Sequence, residues 1–270
     1  AVDQNAYVVM GPVFSGSIIV SMAETRRAEV PNFTGGEAAA ITQQGNPYIF
    51  RTSFTQTTAM PKVARYLKDT VKAKSVAIIW VNNDFGKGGL DTMRKALDVQ
   101  GIKIAAEIST DPGQLDFSGA VLKAKQVNAD ALFVYSNEEE SARALRELRK
   151  QGYDKPIVGE TVLTSQKVIE LAGDAANGAT AHVGLTADAP QPTIQAYNQN
   201  DQKEFHTKSD HKGPQASSRL EIVKHVAEQI GNLLRTACAA PVRDPPCSAA
   251  GARSLHPAGD SAHARLPYPA

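Results

Sequence analysis

Disulfide chemistry is the first thing this chain lacks. Its 270 residues hold two cysteines, Cys238 and Cys247, both near the end. The fold therefore rests on core burial, and cysteine usage says nothing about redox compartment. An excess of one charge is missing as well, with 29 basic against 28 acidic side chains and a net charge of +1. Without a basic stripe, nucleic acid is not an expected partner. No apolar run approaches the ~18 residues that a membrane-spanning helix needs, so direct insertion by a helix is excluded. No charged, apolar, small-residue leader is seen either; if the chain is exported, its signal peptide is expected upstream. What the chain does have is 42% apolar residues, enough to build one large core or two moderate ones.

From residue 6 to about 184 strands and helices alternate. The strand candidates are Ala6–Met10, Val30–Phe33, Tyr48–Arg51, Ser75–Val81, Lys103–Ile108, Ala131–Tyr135, Pro156–Val158 and Ala179–Gly184. "SVAIIWV" and "ALFVY" are apolar throughout rather than alternating, as expected of strands covered on both faces in a parallel sheet. Leu90, Met93 and Leu97 repeat at helical spacing, as do Ala142, Leu145 and Leu148. Pro61 stands early in one helical stretch, Asp116 or Ser118 can cap another, and Glu139 and Arg143 are four apart in the favourable order. Two further helices are expected over 193–208 and 217–231. The pattern predicts an α/β architecture with doubly wound, mostly parallel sheets.

In open parallel sheets ligands settle outside the carboxyl ends of the strands. Four segments occupy that position: Gly11–Ser17, Thr34–Ala39, Asn82–Gly88 and Ser136–Glu140. In "FSGS", Ser15 and Ser17 can cap the following helix while its first amides face an anion; an N-cap with no ligand explains the same residues. Gly35 and Gly36 allow close backbone approach, and Glu37 reads either as a ligand contact or as an ordinary first-turn carboxylate. Several chemistries fail. In "GKGGLD", Asp91 stands where the dinucleotide motif needs its third glycine. Neither a phosphate-binding P-loop nor a G-x-S-x-G nucleophile elbow is present. His206, Asp210 and His211 read as a solvated loop at a helix end rather than a metal site, and Glu138, Glu139 and Glu140 as a dipole-favoured helix start. No enzyme activity, cofactor or metal is expected.

Taken together, "GPVFSGS", "VPNFTGGEAAAITQQGNPYIFRTSFTQT", "SVAIIWVNNDFGKGGLD", "DFSGAVLKAK", "ADALFVYSNEEESARALRELRKQGYDKPIVGET" and "AYNQNDQKEFHTKSDH" resemble the leucine/isoleucine/valine-type periplasmic substrate-binding proteins of ABC importers. The resemblance covers roughly residues 6–231. It implies the type I periplasmic-binding-protein fold of two α/β lobes, with residues 1–56 and 185–231 in a first lobe whose opening strand–helix units lie upstream, and 57–184 in a second. It also implies a periplasmic receptor that holds an amino acid or similar small carboxylate and hands it to a membrane permease. By the same resemblance Ser15 and nearby amides take the ligand's α-carboxylate, and Gly35, Gly36, Glu37 and Ala38 form the second ligand-binding loop. Glu37 departs from the family there, since a carboxylate at the hydroxyl position welcomes an ammonium and repels an acid. Phe85 matches a covering aromatic, Asn137 is a polar change at another, and Glu160, with Thr161 competing one residue on, matches the acid that binds the ammonium.

Two other readings share the fold class. One is the effector-sensing domain of a transcription regulator or receptor, and the other a Rossmann-like enzyme, weakened by the missing fingerprints. After Gly231 the composition turns to alanine, proline and arginine without lysine. An irregular or disordered tail over 232–270 is expected, and an out-of-frame reading of a GC-rich gene accounts for it best. Deleting residues 232–270 is expected to leave the melting temperature nearly unchanged; a large drop in a thermal melt would show that the tail packs.

Overall fold

The computed structural model describes residues 2–4, 6–184, 188–206 and 209–230. The expected tail at 232–270 lies outside them, as do residues 207–208 and 231 at the ends of the last two expected helices. In chain order the elements are β1 (Val9–Met10), α1 (Ser15–Arg27), β2 (Asn32–Thr34), α2 (Ala40–Gln43), β3 (Ile49–Arg51), α3 (Gln56–Asp69), β4 (Ser75–Val81), α4 (Asp84–Gln100), β5 (Lys103–Thr110), α5 (Ser118–Gln126), β6 (Ala131–Tyr135), α6 (Glu138–Lys150), β7 (Ile157–Gly159), α7 (Gln166–Ala172), β8 (Thr180–Ala181), α8 (Pro192–Phe205) and α9 (Lys212–Ile230). Short 3-10 turns precede β1 and flank α7.

The chain forms two compact units. Among the described residues, the first takes in those up to Gly36, Ala40–Ser53 and residues 215–230; the second takes in Glu37–Ala39 and those from Phe54 to Pro214. Helix α8, expected with the first lobe, falls in the second unit. In the first unit β1, β2 and β3 form a three-stranded parallel sheet in that order. In the second, five parallel strands run in the order β5-β4-β6-β7-β8.

The larger sheet shows why continuous apolar runs were needed. Along β4, Ala77 and Ile79 face one core and Val76 and Ile78 the other, and β6 divides likewise into Leu132 and Val134 against Ala131, Phe133 and Tyr135. On the first face lie Val121 of α5, Leu145 and Leu148 of α6 and Val168 of α7. On the second lie Val63 and Leu67 of α3 and Leu90, Met93 and Leu97 of α4. Burying both faces of the strands requires helices on both sides.

Helix starts follow local chemistry, with corrections to the expected caps. Thr55 and Asn83 cap α3 and α4, Asn83 Oδ1 accepting from the Gly86 N–H at 2.9 Å. Pro61 sits inside α3. Phe117, not Asp116 or Ser118, is the residue before α5, although Asp116 Oδ1 accepts from the Ser118 N–H at 2.8 Å. Ser15 and Ser17 lie inside α1, which follows Phe14 without a side-chain cap. Glu139 and Arg143 pair at 2.8 Å across one turn of α6, as their spacing predicts.

Phe133 is fully buried at the centre of the sheet. Phe133→Ala is expected to cost about 3–5 kcal/mol, read as a lower urea midpoint with an unchanged slope.

Candidate functional site

Because every strand is parallel, each carboxyl end opens onto the same edge of its sheet. The sequence-predicted residues stand at those ends: Ser15 after β1, Gly35 and Gly36 after β2, Phe85 after β4, Asn137 after β6 and Glu160 directly after β7.

In the first unit, the loop after β2 packs against the start of α1. Thr34 Oγ1 donates to the Pro12 carbonyl at 2.8 Å. The Gly36 carbonyl accepts from Ser53 Oγ at 3.1 Å and from the Arg51 guanidinium at 3.3 Å. A Cβ on Gly36 would run into the buried side chains of Ile18 and Ile41 and stand 3.3 Å from Ser15 Oγ, so the bare glycine suits the close packing of this loop. Ser15 itself is buried. Gly35 has the Arg219 guanidinium where its Cβ would be. Arg219, 5% exposed, donates from Nε to Thr52 Oγ1 at 2.7 Å, and burial holds its pKa below the ordinary guanidinium value. Sequence reasoning missed Arg219, because one arginine in the helical stretch "SSRLEIVKHVAEQIG" carries no signal that it turns inward.

In the second unit the centre is acidic. The Glu37 carbonyl accepts from the Gln56 N–H at 3.3 Å, and Ala38 is buried beside it in sequence. Glu37, Glu160 and His182 each bring a donor atom to within 4.8 Å of the others. Glu160 is 1% exposed; its Oε1 accepts from the Val162 N–H at 3.0 Å. Burial raises its pKa to about 7, opposed by that amide and by the charge of Lys212. Lys212 is itself ion-paired with Glu138. His182 follows β8 directly. Burial lowers its pKa to about 4, aided by His211 and Lys62, so the ring is neutral at physiological pH. Phe54 meets that ring edge-on at 5.3 Å. Sequence reasoning missed His182 too, although its place right after a strand in "TAHVG" was the available signal. The mixed set of two carboxylates and one imidazole is also the group of these residues with the chemistry to hold a metal ion.

Phe85 is stacked on Tyr135 with ring centroids 4.3 Å apart. Gln56 ties the pair together: its Nε2 donates to the Phe85 carbonyl at 2.8 Å and to Tyr135 Oη at 2.9 Å. Burial, then the charges of Glu37 and Glu160, pushes the Tyr135 phenol well above its ordinary pKa, so it stays neutral. Asn137 precedes α6 without capping it through its side chain. Asp210 Oδ1 accepts from the Lys212 N–H at 2.8 Å and so serves the start of α9, in keeping with a helix-end loop.

A family model described as "Periplasmic binding protein" matches residues 1–254. The chain belongs to that family. Among curated relatives, it is 25% identical over 141 residues to a leucine-, isoleucine-, valine-, threonine- and alanine-binding protein of Pseudomonas aeruginosa, covering 52% of this chain and 38% of that protein. It is 28% identical over 148 residues to a Leu/Ile/Val-binding protein homolog of Brucella melitensis, covering 55% and 39%. The chain thus matches less than half the length of these relatives. Solved structures agree on the fold. The branched-chain amino acid transporter substrate-binding protein LivJ of Streptococcus pneumoniae, in complex with isoleucine, superimposes with a TM-score of 0.81 at 21% identity, covering 88% of this chain and 68% of that one. A solute-binding protein of an ABC transporter from Rhodopseudomonas palustris, in complex with 3,4-dihydroxybenzoic acid, gives 0.78 at 20% identity, covering 87% and 66%. The α/β type I periplasmic-binding fold is therefore that of this family, and no helix among the described residues is long and apolar enough to cross a membrane.

The two buried titrating groups of the acidic centre act on stability with opposite sign. Glu160 holds its proton up to about 7 in the folded chain but releases it near 4.5 when unfolded; stability falls as pH rises between those values. His182 takes its proton near 6.5 unfolded but only near 4 folded; stability falls as pH drops between those values. The slopes oppose each other where they overlap. In chelator-containing buffer, Glu160→Gln should leave stability rising with pH from about 4 to 6.5, and His182→Gln should leave it falling from about 4.5 to 7. Each slope amounts to on the order of 3 kcal/mol, measured by urea unfolding across pH.

Proposed function

We propose that this chain is the ligand-binding part of an extracytoplasmic solute receptor that binds an amino acid or similar small carboxylate and delivers it to an ABC-type permease. The observation that carries the reading is a division of charge at the strand ends. The first unit offers a buried guanidinium, Arg219, against Gly35, together with the Ser15 hydroxyl and the start of α1. The second offers the carboxylates of Glu37 and Glu160 with a neutral His182. Taken each by itself, the first set suits a carboxylate and the second an ammonium.

On this reading Ser15 and the backbone of Gly35 and Gly36 take the ligand's carboxylate, and Glu160 takes its ammonium. Glu37 adds a second carboxylate on the ammonium side, with Ala38 next to it. Phe85 and Asn137 contact the ligand's side chain. Two relatives are named for binding leucine, isoleucine and valine, and a structural neighbour holds a dihydroxybenzoic acid. The first points to an aliphatic amino acid and the second to an aromatic acid. The acidic centre favours an occupant with an ammonium over a plain acid, because a carboxylate beside Glu37 and Glu160 would be repelled. The work done is binding and release: no bond is made or broken, and a ligand that prefers one conformation of the receptor shifts its population toward it. The chain acts outside the cytoplasm.

Thermal-shift screening across the amino acids and small carboxylates should give stabilisation by at least one amino acid, and none would refute the reading. Ser15→Ala should weaken binding of that ligand by roughly 1–3 kcal/mol with the fold retained; unchanged affinity in calorimetry would remove Ser15 from the site.

A further inference from the structure

Within the second unit, two atoms of the acidic centre are buried without a hydrogen-bond partner among the described residues: Glu160 Oε2 and His182 Nε2. Buried polar atoms are nearly always satisfied, and leaving one unmade costs stability. Here two such atoms belong to side chains that also meet a second carboxylate, from Glu37, inside a 4.8 Å cluster. Glu160 is only 1% exposed, so bulk water does not relieve it. We propose that Glu37, Glu160 and His182 form a binding site for a divalent transition-metal ion of the zinc type.

The donor set selects the class of ion. One imidazole nitrogen with two carboxylates suits zinc and its first-row neighbours, whereas calcium and magnesium ask for oxygen ligands in larger number. Metal–ligand bonds of about 2.0–2.2 Å place donor atoms roughly 3–3.5 Å from one another. The donors already lie within 4.8 Å of one another, so about 1.5 Å of contraction brings them to that spacing.

The surroundings hold two of the ligands in place. His182 Nδ1 lies 3.5 Å from Thr161 Oγ1, and that hydroxyl is fixed by donating to the His182 carbonyl at 3.0 Å. With its hydrogen on Nδ1, the ring turns a lone pair outward at Nε2, the arrangement that orients metal-binding histidines. Glu160 is anchored through Oε1 by the Val162 N–H, which leaves Oε2 for the ion. A dication also offsets the mutual repulsion of the two carboxylates. Lys212 cannot serve that purpose in full, because its ammonium is engaged by Glu138.

The metal site does not rest on the receptor reading. A metal ion and a ligand's ammonium would use the same acceptors, so where both bind they compete. Titration calorimetry of zinc chloride into the metal-stripped full chain, in buffer free of amino acids, should show one saturable ion per chain in the micromolar range. Glu160→Gln, His182→Gln and Glu37→Gln should each weaken uptake roughly tenfold or more, while His225→Ala, on an exposed position of α9, leaves it unchanged. Cobalt(II) in place of zinc should give visible bands without the near-ultraviolet thiolate absorption that Cys238 or Cys247 would produce. No saturable uptake, uptake retained in His182→Gln, or thiolate bands would each overturn the proposal. Circular dichroism checks that the variants fold, and Glu37→Gln, on a residue less buried than Glu160, keeps the test open if the others do not. A chain that ignores zinc yet is stabilised by an amino acid loses the metal site and keeps the receptor reading. One that takes zinc at His182 and no amino acid does the reverse.

Discussion

Parallel strand pairing is the constraint on which the rest of this structure depends. A parallel neighbour cannot be reached by a tight hairpin, so each strand must be followed by a crossover, here mostly a helix. Two consequences follow. Helices cover both faces of the larger sheet, so β4 and β6 must be apolar at every position, as Ser75–Val81 and Ala131–Tyr135 are except at the first serine. Every loop that leaves a carboxyl end also opens on one edge, which is why Phe85, Asn137, Glu160 and His182 all lie just past strand ends in the second unit. The site is a by-product of how the core is closed.

The acidic centre illustrates what the second unit gives up for chemistry. Its neighbours include the fully buried Tyr135 and the buried Gln56, whose side chain holds both the Tyr135 hydroxyl and the Phe85 backbone. That support rests on both Gln56 amide hydrogens, although Gln56 Oε1 is itself buried without a partner among the described residues. Glu160 and His182 are different: burial pushes the carboxyl up and the imidazole down, each toward its neutral form. Groups kept half-satisfied in an otherwise well-paired core are a usual mark of a binding site. In the first unit the constraint is steric instead, since a side chain on Gly36 would meet Ile18 and Ile41.

Much of this was legible beforehand. Ser75–Val81 and Ala131–Tyr135 are found with the bounds their apolar runs predicted, because a continuous run is its own boundary signal. The short strands are displaced by one to three residues, from one at β7 to three at one end of β1 and of β8, where two or three paired residues leave little pattern to read. Cap assignments near Ser15 and Ser118 were less legible, since a serine at a helix start serves equally as the cap or as the first helical residue.

By itself the sequence determined the α/β class, the parallel sheets and the strand-end location of Ser15, Gly36, Phe85 and Glu160, because hydrophobic period and loop composition are local properties of the chain. Tertiary structure alone decided that Arg219 turns inward beside Gly35, that Glu37 and Glu160 meet His182, and that α8 joins the second unit. Those pairings join residues far apart in the chain, and nothing in local propensity encodes which distant side chain a folded strand end will face.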